Sequence, residues 1–127
     1  MIVRYLFILF FLFLSISLWS QKLYEKDYAD AIAQIVGGDR EVSVYGGRVD
    51  IVTETHAYEV EWAHKWKNAI GQSLWYAQQT LKQPAIVLIL KEKKDYKYFL
   101  QLNSSLSYAG LDDKIKVLLY PNDFVDR

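Results

Sequence analysis

Asp50, Glu59 and Glu61 are the residues of this 127-residue chain from which chemistry is most directly built. All three carry hard, anionic oxygens, and all three fall in segments that read as β-strand. Side chains alternate faces along a strand, so regular alternation puts Asp50 on one face with Arg48 and Val52. If the chain turns back near Thr55, Asp50 lies opposite Glu59. Paired residues across an antiparallel ladder have Cβ atoms about 5 Å apart. Glu61 lies two residues on and shares that face. Carboxylates gathered in this way repel one another unless a cation sits between them, and Mg²⁺ or Mn²⁺ is the natural partner for hard oxygen ligands. An ion held there activates water and neutralises charge on a phosphate, the two needs of phosphodiester cleavage.

The next segment adds four candidates. Gln72 and Tyr76, at i and i+4, project from one face of a helix. Lys65 and Lys67 stand at its start and could orient water or a phosphate. Each feature also has an ordinary reading. Glu59 and Glu61 could be the solvated face of an edge hairpin, with Arg48 as an ion-pair partner of Glu61. Lys65 and Lys67 could be solvated lysines, and Gln72 and Tyr76 surface residues of an amphipathic helix. His56 and His64 are isolated, and nothing near them suggests zinc. Trp62, Trp66, Trp75 and Tyr76 surround the acidic segment; such aromatics are usually core, although exposed rings can stack on bases. Lys91, Lys93, Lys94 and Lys97 read as a solvated helix start that could also contact phosphates.

Several elements must position these side chains. Residues 23–36 have apolar positions at three and four spacing, ended by Gly37-Gly38, and predict a helix. Strands follow over 40–45, 48–53 and 57–62, with Tyr58, Val60 and Trp62 on the face opposite Glu59 and Glu61. A helix over 66–82 carries Ala69, Ile70, Leu74, Ala77 and Leu81 on its apolar stripe and ends at Gln83-Pro84. The continuous apolar run 85–90 predicts a strand buried on both faces, as in a parallel sheet. A helix over 91–108 and a strand over 114–120 complete an α-β-β-β-α-β-α-β order. Residues 122–127 read as a frayed tail.

Asp50, then Glu59-Val60-Glu61, then Gln72 and Tyr76 on the following helix, together resemble the PD-(D/E)XK nuclease superfamily. The similarity is to its RecB-like subset, which carries a Q-x-x-x-Y pattern, and it covers roughly residues 23–90. It implies an α/β fold with a restriction-endonuclease-like αβββαβ core, a mixed central sheet flanked by helices. It further implies that Asp50 and Glu59 hold Mg²⁺ (or Mn²⁺) together with the Val60 carbonyl. Glu61 or a nearby lysine would orient the water, and Gln72 and Tyr76 would position the phosphate or the metal shell. Arg48, Lys65 and Lys67 would contact nucleic acid, with DNA favoured over RNA. Many nucleases of this family pair to cut two strands, which makes a homodimer an expectation. Two positions depart from the pattern. Val49 stands where proline is frequent, and Glu61 stands where the third-strand lysine is usual. Some family members carry Glu there, and in others the lysine has moved to the next helix, where Lys65 and Lys67 lie.

Composition bounds the rest. Hydrophobic residues make up 52% and aromatics 16%, which fits one packed domain and excludes a disordered chain. Basic and acidic residues balance at 15 each, so the chain lacks the overall basic excess common in nucleic-acid binders. A local basic patch remains compatible with that balance. Residues 1–20 have one basic residue, Arg4, then an apolar run and small residues before position 20. They read as a signal peptide, with a retained membrane anchor as the alternative, so membrane association is expected only on retention. Residues 21–127 then form a single exported domain, periplasmic or secreted. Zero cysteines are compatible with export. The balanced charge and Glu61 leave a second functional class open: a nuclease-fold module that binds a partner without catalysis.

Overall fold

The computed structural model describes residues 22–125. The proposed signal peptide lies outside them. The chain forms α1 (Glu25–Val36), β1 (Asp39–Val44), β2 (Gly47–Val52), β3 (His56–Trp62), α2 (Trp66–Thr80), β4 (Gln83–Ile89), α3 (Tyr96–Tyr108) and β5 (Lys116–Tyr120). Short 3₁₀ turns occupy Ala63–Lys65, Lys93–Asp95 and Asn122–Phe124. The strands make one mixed sheet in the order β1-β2-β3-β4-β5. β1, β2 and β3 are antiparallel neighbours, whereas β3, β4 and β5 run parallel. This is the expected α/β class with an αβββαβ core.

Parallel neighbours need crossover connections, usually helical. α2 and α3 supply them, and both pack on one face of the sheet. Trp66 and Ala69 of α2 and Leu102 and Leu106 of α3 meet Ile86 and Leu88 there. α1 covers the other face, where Ala29, Ile32 and Ala33 meet Val60, Val87 and Ile89. Successive residues of β4 therefore enter opposite cores, which is why its sequence is apolar without alternation. Each fully buried aliphatic side chain of this kind stabilises the fold by roughly 1.5–3 kcal/mol.

Element ends differ from the sequence expectation for identifiable reasons. α1 starts at Glu25 rather than residue 23 because Tyr24 is extended and donates its N–H to the Asp27 carboxylate at 2.7 Å. α2 stops at Thr80 because Leu81 adopts a left-handed conformation (φ 55°) and Lys82 N–H turns back to the Ala77 carbonyl. Gln83 and Pro84 are then already strand, paired with His56 and Ala57. α3 starts at Tyr96 rather than residue 91, because the Asp95 carboxylate accepts from Lys91 and Glu92 N–H groups and folds 93–95 into a separate turn. The tail is not frayed through Phe124. That ring is buried against the α1-side core, and the Asp123 carboxylate accepts Leu119 N–H at 2.6 Å.

Among the described residues, no helix is long and apolar enough to cross a membrane.

Candidate functional site

The β2–β3 ladder pairs Val52 with Ala57 and Ile51 with Tyr58. The next pair in that register is Asp50 and Glu59, as the sequence expectation had it. Here main-chain pairing gives way to a side chain, because Val60 N–H donates to Asp50 Oδ2 at 2.8 Å. The strand also turns over at this point. Val49 packs with Ala57, Ala77 and Tyr76, whereas Ile51 packs with the α1-side core, although two-residue spacing would place them together. On β1 the position facing Asp50 is Glu41, bracketed by the pairs Arg40–Ile51 and Val42–Val49. Glu41 is held at φ 52°, a conformation that costs a non-glycine residue on the order of 1 kcal/mol. Arg40 holds the bend from α1. Its guanidinium contacts Asp30 Oδ1 at 2.7 Å and donates to the Asp50 carbonyl. The regular alternation expected for Arg48, Asp50 and Val52 is therefore interrupted at Asp50.

Four carboxyl groups gather where this ladder stops. Asp50 and Glu59 share a hydrogen bond. Glu61 shares another with Glu25, the first residue of α1, and also accepts Trp62 N–H at 3.0 Å. Glu59 and Glu61 are only 7% and 8% exposed. Glu59 Oε2 is buried with no hydrogen-bond partner. Burial, followed by the charges of Asp50, Glu61 and Glu25, pushes the Glu59 carboxyl up to about 9. Burial and the Glu25 contact push Glu61 up to about 7, against the opposing pull of Lys65. Asp50 is raised by burial despite its Val60 hydrogen bond. In water-poor surroundings carboxylates this close cannot all ionise without a counter-charge.

Tyr76 belongs to the same site. Burial and the Glu59 and Asp50 charges raise its pKa, against the backbone N–H of Arg48, which its oxygen accepts. A Cβ on Gly47 would lie 2.5 Å from that hydroxyl, so glycine is required for the hairpin to approach α2 this closely. Gln72 is exposed one turn earlier. Lys65 stands beside Glu61, whereas Lys67 lies over the Trp66 ring, 5.8 Å from its centroid, toward α3. The structure thus brings Asp50, Glu59, Glu61, Tyr76 and Lys65 together and leaves Lys67 apart.

Arg48 does not pair with Glu61. Its side chain is 67% exposed and lies 3.9 Å from Glu41. The aromatic group also divides. Trp66 is core and donates to Gln101, Trp75 ties α2 to the Tyr45 carbonyl at 2.8 Å, and Trp62 lines an open cavity. His56 bonds Thr55 at the opposite end of β3, and His64 is exposed.

Glu25 escaped the sequence reading. An acidic residue in a helix's first turn is ordinary charge complementarity to the helix dipole, and nothing in its spacing ties it to β3. Among the described residues, no group of three or more Asp, Glu, His or Cys side chains is placed to hold a metal ion. The Asp50 carboxylate and the orphaned Glu59 Oε2 are hard oxygens of the type divalent cations take as ligands.

A 53-residue stretch, 42% of this chain, is 38% identical to the putative KilA-N domain-containing protein L33 of Acanthamoeba polyphaga mimivirus. The match spans 22% of that viral protein's length. No family model and no solved structure matches the chain.

Proposed function

We propose that this protein is a metal-dependent nuclease with a PD-(D/E)XK-type site, hydrolysing phosphodiester bonds of nucleic acid. One observation carries the reading: a buried, unpartnered Glu59 oxygen amid three further carboxyl groups where the β2–β3 ladder stops. Burying acidic groups together is costly unless a cation compensates. Nucleic acid as partner is in keeping with the partial likeness to the KilA-N domain-containing viral protein.

In this reading Asp50, Glu59 and the Val60 carbonyl hold Mg²⁺ or Mn²⁺. The bound ion supplies water activation and charge neutralisation at the phosphate. Glu61 accepts the proton of the attacking water, since its raised pKa suits a base working near neutral pH. Lys65 orients that water and stabilises charge on the phosphate, the part usually played by the third-strand lysine. Tyr76 and Gln72 position the phosphate from α2, and Arg48 guides the chain from the hairpin. Lys67 sits too far toward α3 for a catalytic part.

Incubation with supercoiled and single-stranded circular DNA and Mg²⁺ tests this. Wild-type protein should cleave, and Asp50→Ala should not. Lys65→Ala should lower the rate on the order of 10²-fold, whereas Lys67→Ala should leave it within a few-fold. No cleavage by wild type, or equal cleavage by Asp50→Ala, contradicts the proposal.

A second reading rests on the hydrogen bonds between Glu59 and Asp50 and between Glu61 and Glu25. Protonated on one side, each pair shares a proton, and the fold then serves as a binding module without catalysis. As to location, residues 1–20 are inferred to be removed on export. The intact mass of protein recovered from its host decides it, a retained segment giving the full-length value.

A further inference from the structure

The three parallel strands β3, β4 and β5 all end at one edge of the sheet, where α1 begins. Clefts outside the carboxyl ends of parallel strands are common ligand sites. Here the cleft is an open cavity of about 690 Å³ lined by Lys22, Lys26, Lys65, Lys91, Tyr24 and Trp62. Glu25 also lines it, which connects it to the carboxyl cluster. Lys91 continues into a neighbouring cavity of about 510 Å³ that also contains Lys93 and Tyr96. Five lysines thus follow one path on a chain whose total charge is zero.

Two details make this more than a solvated basic surface. The Lys91 ammonium lies 4.2 Å from the centroid of the Trp62 ring, a cation–π contact that fixes it over the cleft. Trp62 is in turn braced edge-on by Tyr28 at 5.3 Å. The Tyr24 and Tyr96 rings remain exposed, at 58% and 47%, beside the lysines. Rings among cations match a strand whose bases are unstacked and whose backbone is accessible. A duplex keeps its base faces against each other, and a neutral protein gains little general attraction for it.

We propose that this cleft binds single-stranded nucleic acid, its phosphates along Lys26, Lys65 and Lys91 and its bases against Tyr24 and Tyr96, and so leads the strand to the carboxyl cluster. The assignment rests on the nuclease reading for what happens at that cluster, but binding is measurable without cleavage. Fluorescence anisotropy in EDTA, with a labelled single-stranded deoxyoligonucleotide, its duplex and an RNA of the same sequence, tests it. The DNA strand should bind at least about tenfold tighter than the duplex, and the RNA arm shows whether the sugar matters. Lys26→Ala combined with Lys91→Ala should weaken single-strand binding at least about tenfold and lower its salt slope by about 1.4, at roughly 0.7 per phosphate contact. Tyr24→Ala should cost about tenfold by loss of stacking. Lys91→Arg keeps the charge and should bind nearly as wild type. Equal or tighter duplex binding, or undiminished binding by the double variant, overturns the inference. Single-strand binding without cleavage in Mg²⁺ overturns the nuclease reading instead.

Discussion

Replacing Glu59 by glutamine is expected to slow cleavage by orders of magnitude while making the metal-free protein more stable. The two effects have one cause. With its carboxyl pushed up to about 9, Glu59 is protonated in the folded metal-free protein at pH 7, whereas its ordinary value is 4.5. Folding must therefore take up a proton that the unfolded chain has already lost. That costs about 3 kcal/mol at pH 7, at 1.36 kcal/mol per unit. Glutamine mimics the protonated acid, keeps a donor for Asp50 and removes the cost. Melting should rise by roughly 10–20 °C, at about 4–8 °C per kcal/mol for a domain near this size. Cleavage should fall by about 10²–10⁴-fold, because an ion's transition-state contribution is several kcal/mol. Thermal melts in EDTA beside cleavage rates in Mg²⁺ read both. A glutamine variant that is destabilised and fully active contradicts the assignment.

The second large effect is the dependence of stability on pH. Without divalent cations, the melting temperature should fall as pH rises from 5 to 9. Between 4.5 and about 9 the folded state keeps the Glu59 proton and the unfolded state does not. The unfolded state then binds fewer protons, and stability decreases with pH. Glu61, pushed up to about 7, adds to the slope in the lower part of that window, and the raised Asp50 acts in the same direction. His56, lowered below 6.5 by burial and Lys116, opposes the trend only below that value. A total fall of at least roughly 20 °C follows from the same conversion. Mg²⁺ should restore stability at pH 8 far more than at pH 5, where it must displace protons. A melting temperature that rises from pH 5 to 9 in EDTA would refute this assignment of charge.

Part of this site is visible in the sequence. Strand alternation and a turn near Thr55 are enough to set Asp50 opposite Glu59, and the apolar run after Pro84 is enough to bury β4 on both faces. The nature of the remainder is non-local. Glu25 joins the cluster only because α1 crosses the sheet beside the end of the β2–β3 ladder. Glu41, facing Asp50 from β1, adopts a left-handed conformation that its residue type does not suggest. Arg48 leaves the expected face because the strand turns over at Asp50. Lys65 and Lys67 are equivalent in sequence, and one short 3₁₀ turn points the first to Glu61 and the second to Trp66. Phe124 has no periodic partner near it, so its burial against the distant α1-side core could not be read locally.

Calorimetric titration of the metal-free protein with Mn²⁺ or Mg²⁺ at pH 7, in two buffers of different ionisation enthalpy, tests the central claim most directly. Binding should be saturable, should be lost in Asp50→Asn and Glu59→Gln, and should release about one proton, since the Glu59 oxygen must ionise to become a ligand. Heat independent of the buffer, or binding that survives both substitutions, would show that these carboxyl groups are not a metal site.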